Sequence, residues 1–114
     1  MNISSEVCLK KLVAIDDALY VIGGKWKIKI IIALTEGYKR FNDIQRVVGI
    51  SAKMLSHELK ELELNGFVKR NVYTETPVVV EYEITEYSDS LQDILKSLSE
   101  WGERHRDKIR RERS

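Results

Sequence analysis

Lys53, Ser56, His57 and Lys60 recur at intervals of three, one and three residues within SAKMLSHELKEL, residues 51–62. On an α-helix that spacing gathers all four on one face. Two ammonium groups, a hydroxyl and an imidazole in a row suit one kind of partner. The lysines can meet phosphate oxygens, and the serine and histidine can donate to or accept from base edges in a DNA groove. No acid stands among them, and Glu58 and Glu61 are expected on the flanks of the helix. Leu55, Leu59 and Leu62 form the opposite stripe, which predicts leucine buried and cation outward. Any amphipathic surface helix has a polar side, so the neighbouring elements must decide whether this one works on DNA.

Other chemistry finds little support. The two histidines, His57 and His105, lie far apart in sequence, and no His/Cys cluster has metal-ligand spacing. No Ser/His/Asp arrangement is suggested. Gly23-Gly24 lacks the further glycine of a nucleotide loop, and no GxxxxGK is present. Neither an enzyme nor a cofactor is expected. The single cysteine, Cys8, excludes an intramolecular disulfide.

The elements that would hold the polar stripe follow from periodicity and punctuation. Ile3, Val7, Leu12, Ile15, Leu19 and Ile22 give an N-terminal helix over 3–21, stopped at Gly23-Gly24. KWKIKIIIALTE, 25–36, opens with strand-like alternation, but Trp26, Ile30 and Leu34 favour a buried helix. Lys25, Lys27 and Lys29 are expected to be mostly solvated there. A short helix over 41–48 turns Phe41, Ile44 and Val48 inward and closes at Gly49. Ser51 can N-cap the next helix, which runs to Asn65-Gly66, with Gly66 in the left-handed conformation. Runs 67–73 and 78–84, joined by TETP, predict an antiparallel hairpin, with Val78, Val80, Tyr82 and Ile84 on one face. A last helix spans 88–109 through Leu91, Ile94, Leu95, Leu98, Trp101 and His105. Three helices and then a hairpin, with only Gly49-Ile50 between the second and third, is the winged helix-turn-helix layout.

At 114 residues and 43% hydrophobic, the chain suits a single domain over 1–114 with a real core. That domain divides into an N-terminal helix near 3–22, a winged core over 25–85 and a C-terminal helix over 88–109. The net charge of +1 names no partner, but it hides a segregation. Residues 25–60 carry eight basic and three acidic side chains, whereas 61–100 carry three basic and nine acidic. No signal peptide is seen, and IIIAL at 30–34 is far too short to span a bilayer. A cytoplasmic protein without a membrane partner is expected.

The fragments IGGKW at 22–26, KRF at 39–41, IS-x-K-x-L at 50–55, L-K-E-L-E-x-x-G at 59–66, Y-x-E-x-P-x-x-V-E-Y at 73–82 and I-T-E at 84–86 occur in a characteristic order. Over about residues 13–105 the chain resembles the HxlR-like family of bacterial transcription regulators. The resemblance implies a homodimeric winged-helix DNA-binding protein of MarR-related architecture. The helix at 51–65 would be the recognition helix, TETP the wing tip, and the terminal helices the dimer interface. Many family members carry a Cys-Pro pair where this chain has Val13-Ala14. The family's common basic wing residue is Val79 here, Tyr38 replaces a common proline, and Tyr87-Ser88 replaces a charged-Gly pair.

These readings combine into an α+β, mainly α winged helix-turn-helix with flanking dimerisation helices, binding double-stranded DNA as a homodimer on a palindromic operator. Candidate DNA contacts are Lys39, Arg40 and Asn42 at the start of the first helix of the motif. Ser51, Lys53, Met54, Ser56, His57 and Lys60 follow on the second, and Arg70, Thr74 and Thr76 on the hairpin. Cys8 is a candidate redox group, through an intersubunit disulfide. The rival readings are a winged-helix interaction module that has lost DNA binding and an RNA binder. The latter lacks stacking aromatics on a sheet.

Overall fold

The computed structural model describes residues 2–113, with side chains from residue 5 onward, so Ile3 of the expected apolar stripe lies outside the described side chains. The elements are α1 (Asn2–Ile22), α2 (Lys27–Thr35), α3 (Phe41–Val48), α4 (Ala52–Leu64), β1 (Val68–Tyr73), β2 (Val79–Ile84), a 3-10 helix (Glu86–Leu91) and α5 (Gln92–Arg113). This is an α+β winged helix-turn-helix.

The core forms where the helical rows of α2, α3 and α4 meet. Ile30, Ile31 and Leu34 come from α2, Ile44 from α3, and Leu55, Leu59 and Leu62 from α4. Phe67 and Val68 enter from the hairpin base, and Leu91 and Leu95 from the last helices. The helical reading of 25–36 holds, because a strand would send alternate residues of IKIIIAL to opposite faces. The helix instead puts Lys27, Ile30, Ile31 and Leu34 on one side, all buried.

The corner that aims α4 is built from three consecutive residues. Gly49 takes φ 76° and ψ 38°, a left-handed conformation open to glycine at little cost, and its N–H donates to Gln45 O at 2.9 Å. Ile50 then plugs the angle between the helices and is buried. Ser51 is extended, and its Oγ accepts the Met54 N–H at 3.2 Å, which caps α4. At the far end Gly66 is left-handed at φ 82°, as expected.

β1 and β2 pair antiparallel from Val68↔Ile84 to Tyr73↔Val79. Tyr82 and Ile84 pack against the core, while Val78, expected on that face, lies outside the strand and is exposed. The hairpin is tied down at two places. The Tyr82 N–H donates to Lys39 O at 2.8 Å, and the buried Ser88 hydroxyl donates to Phe67 O at 2.6 Å. Ser88 belongs to the 3-10 helix that precedes α5, where the sequence reading began an α-helix. The Ser90 hydroxyl turns back onto Tyr87 O at 2.7 Å, a local bond of the kind that competes with regular α geometry, while the Ser88 hydroxyl is drawn across to the base of the hairpin. Beyond it α5 runs to Arg113, past the expected end at 109.

α1 is packed differently. Ile22 is buried at its end, but Val7, Leu12, Ile15 and Leu19 stay exposed. On α5, Leu95 is buried while Ile94, Leu98 and Trp101 are exposed. Among the described residues, no helix is long and apolar enough to cross a membrane.

Candidate nucleic-acid interface

Leu55, Leu59 and Leu62 are sealed in the core, which fixes the rotation of α4. The helix therefore turns Lys53, Ser56, His57 and Lys60 outward, and all four are exposed. Met54 is exposed beside them, and Ser51 is exposed although its hydroxyl serves as the cap. Ser56 and Lys60 meet Arg70 of β1 across a shallow groove that also holds Leu59, Glu63 and Tyr82. The structure thus joins the helix and hairpin candidates at one place. Thr74 and Thr76 lie on the exposed turn of the wing, outside that groove.

Lys39, Arg40 and Asn42 are exposed around the first turn of α3, where unpaired backbone N–H groups favour an anion. Arg40 has a partner that the sequence reading missed. Its Nε lies 3.6 Å from Glu81 Oε2 of β2, so part of its charge is directed at the wing. Cys8 is exposed on α1, on the far side of the Gly23-Gly24 break in sequence from these elements.

Two expectations are corrected. Lys27 is not solvated. It is 9% exposed, and its Nζ lies 2.7 Å from Glu58 Oε2 and 2.7 Å from Glu61 Oε2. The clue lay in the spacing: Lys27 precedes Ile30, Ile31 and Leu34 in the inward row of α2, so its stem is in the core and its ammonium reaches the edge of α4. Burial works against the charged lysine. The contacts and charges of the two carboxylates outweigh it, and the pKa ends above the ordinary 10.5. Lys25 and Lys29 stay exposed, with their ammonium groups 4.8 and 5.3 Å from the centre of the Trp26 ring.

The second correction concerns the polar stripe. Glu61 does not stay apart from it, because Glu61 Oε1 lies 2.9 Å from His57 Nε2, the neighbour at the i,i+4 spacing. The contact with Lys27 and then its charge, with His57 adding to them, hold the Glu61 carboxyl below the ordinary 4.5 against a smaller opposing effect of desolvation. The exposed face thus presents two free lysines and a serine, together with an imidazole backed by a carboxylate.

The profile of the HxlR-like helix-turn-helix family matches residues 21–110. The HTH-type transcriptional regulator YtcD of Bacillus subtilis is 43% identical over 98 residues, which is 85% of this chain and 78% of that protein. A crystal structure of ytcD superposes with a TM-score of 0.77 at 45% identity, covering 82% of this chain and 96% of that one. The redox regulator HypR in its reduced form gives a TM-score of 0.79 at 41% identity, covering 85% and 97% respectively.

Proposed function

The chain belongs to the HxlR-like helix-turn-helix family of transcriptional regulators, and from that premise we propose that it binds an operator in double-stranded DNA as a homodimer in the cytoplasm. α4 enters the major groove. Lys53 and Lys60 meet phosphates or guanine edges, Ser51, Met54, Ser56 and His57 face nearby groups, and Arg70, Thr74 and Thr76 follow the adjacent backbone or minor groove. Lys39, Arg40 and Asn42 clamp the phosphates beside the start of α3.

The observation that carries this reading is the rotation of α4. Three leucines are locked inward, and the basic face is left open beside the Arg70 groove. Dimerisation is supported by apolar surface that the chain does not cover itself. Leu12 is 54% exposed, Leu19 60% and Trp101 57%, all on the terminal helices. Two such stripes on a small winged core are better covered by a second copy than by solvent. A two-fold dimer reads a palindrome whose half-sites lie about one helical turn apart or a multiple, roughly 10 bp each.

The test is a gel-shift series on DNA fragments selected from the genome, across salt concentrations. A phosphate-dominated binder loses affinity steeply with salt, and Lys53→Ala or Lys60→Ala lowers the slope by about one unit if each meets a phosphate. Unchanged affinity in both variants overturns the assignment of α4. Failure of the parent chain to bind any DNA favours the interaction-module reading.

A further inference from the structure

We propose that Lys27 is a positioning residue for the DNA-reading face. Acting through Glu61, it sets the orientation and tautomer of His57, so that a residue of α2 which never touches DNA selects the base that His57 accepts. This rests on α4 being the helix that enters the groove.

The geometry is a chain of three side chains running from core to surface. The Lys27 ammonium, at the end of a largely buried side chain, sits 2.7 Å from Glu61 Oε2. The other oxygen of the same carboxylate, Oε1, sits 2.9 Å from His57 Nε2. A carboxylate engaged at both oxygens has lost most of its freedom to rotate. Side-chain exposure rises along the series, from 11% at Lys27 through 39% at Glu61 to 63% at His57. Each group therefore shields the one behind it.

The charges explain why the chain must end in an imidazole. Lys27 is a single cation facing two carboxylates, since Glu58 Oε2 is also 2.7 Å away. One negative charge is left over, and the more exposed carboxylate, Glu61, carries it toward the face where phosphates would run. A bare carboxylate there would repel the DNA backbone. His57 covers it by offering Nε2–H to Oε1.

That choice leaves Nδ1 as the ring nitrogen not engaged by Glu61. In a neutral imidazole with the proton on Nε2, Nδ1 is an acceptor. In the major groove the amino groups of adenine N6 and cytosine N4 are donors, whereas guanine O6 and N7 and thymine O4 are acceptors. A tethered His57 therefore prefers adenine or cytosine at the base it faces and rejects guanine and thymine. Without the tether the ring is free to present either nitrogen, and the preference collapses.

A purely structural role for Lys27, stiffening the contact between α2 and α4, predicts none of this, and the test separates the two. Double-stranded DNA from a randomised library is selected with the parent chain at pH 8. One position in the selected half-site is expected to prefer adenine or cytosine by about tenfold. His57→Ala, Glu61→Ala and Lys27→Met each remove the preference at that position while the preferences at the other positions are unchanged, and His57→Ala, which bares the Glu61 carboxylate to the backbone, also weakens binding to every sequence. Lys27→Met combined with His57→Ala loses nothing beyond His57→Ala alone, because both act on one contact.

Lys27→Met strands the Glu58 carboxylate and endangers the fold. Lys27→Met with Glu58→Gln removes that stranded charge yet still releases Glu61, and Lys27→Arg restores a cation. A second readout needs no DNA. The ring ¹⁵N shifts of His57 show an Nε2–H tautomer in the parent, a mixture in Lys27→Met/Glu58→Gln, and recovery in Lys27→Arg. His105, stacked on Trp101 with ring centres 5.1 Å apart, stays constant as the internal reference. Unaltered His57 signals and an unaltered base preference in the folded double variant overturn the proposal. If the parent binds no DNA at all, the base-selection half falls with the reading it rests on, and the ring signals alone decide the tether.

Discussion

α4 and α1 are both amphipathic, and they treat their apolar faces in opposite ways. α4 buries Leu55, Leu59 and Leu62 against α2 and the base of the hairpin, and leaves a polar face in solvent. α1 leaves Leu12, Ile15 and Leu19 in solvent and contributes chiefly Ile22, at its C-terminal end, to the core. Exposure therefore means two different things in one small molecule. On α4 it marks side chains whose charge and hydrogen bonds suit an aqueous or ionic partner. On α1 it marks side chains whose burial, at about 25 cal/mol per Å² of apolar surface, is still to be gained. That stabilisation is available only from another surface.

The sharpest way to break the comparison is to truncate one leucine from each helix. Leu55→Ala opens a cavity in the core cluster to which Leu55 belongs, and is expected to lower the unfolding free energy by about 3 kcal/mol at every protein concentration. Leu12→Ala opens no cavity within the chain. Its effect should appear only through association, as a melting temperature that falls on dilution and a shift toward monomer in sedimentation. Urea and thermal melts at two protein concentrations measure both. Equal, concentration-independent losses in the two variants would mean that α1 packs on its own chain and that the contrast is false.

The next effect concerns the salt-bridged link between the polar side of α4 and Lys27 of α2. Lys27→Met leaves Glu58 buried beside Glu61 with no cation between them, and should cost about 3 kcal/mol at pH 7. Its pH dependence has a definite sign. Glu61 is held below 4.5 in the folded chain, so its contribution is present above 4.5 and is lost as pH falls through the lowered value. Lys27 is held above 10.5, so its contribution is present below 10.5 and is lost as pH rises through the raised value. In Lys27→Met the two carboxylates repel, and protonating either relieves them. The stability gap between parent and variant should therefore narrow from pH 7 toward pH 4, as urea melts would show. A gap that widens on acidification contradicts the ion-pair geometry.

The same contrast separates what was legible in the sequence from what was not. α3 and α4 are read almost to the residue, because Phe41, Ile44 and Val48 keep a helical period and Gly49, Ser51 and Gly66 mark the ends chemically. The outward set on α4 follows from the leucines alone. Lys27 was not legible as a core-edge group. Its type suggests solvent, its place in the inward row suggests burial, and its partners lie 31 and 34 positions further on, beyond the reach of any local pattern. Glu81 is similar, since its approach to Arg40 exists only once the hairpin folds back over α3. For α1 the pattern correctly gave an apolar face, but a pattern names the face and not what covers it.

A smaller effect tests how α4 is begun. The Ser51 hydroxyl takes the Met54 N–H at a rather long 3.2 Å in an exposed position. Ser51→Ala is therefore expected to cost about 0.5–1 kcal/mol, at the low end for N-caps, and Ser51→Gly a few tenths. A reversed order of the two in thermal melts would show that the hydroxyl is not the cap.

The smallest stability effect lies where structure and binding compete for one cation. Arg40 and Glu81 are 3.6 Å apart, with side chains 56% and 27% exposed, so the pair is long and well solvated. Such pairs contribute about 0–1 kcal/mol, and Glu81→Gln should move the unfolding free energy by no more than about 0.5 kcal/mol. Its effect on DNA should be larger and of the opposite sense. For Arg40 to clamp a phosphate it must leave Glu81, and Glu81 itself repels the approaching backbone. Removing the carboxylate lifts both obstacles, so affinity should rise by a few-fold, mainly through faster association at low salt. A fluorescence-anisotropy series with Glu81→Gln and Arg40→Ala decides it. If Arg40 meets a phosphate, the first tightens binding, the second weakens it and lowers the salt slope by about one unit. If Arg40 serves the wing alone, neither variant changes the slope, and the basic face contracts to α4 and its groove.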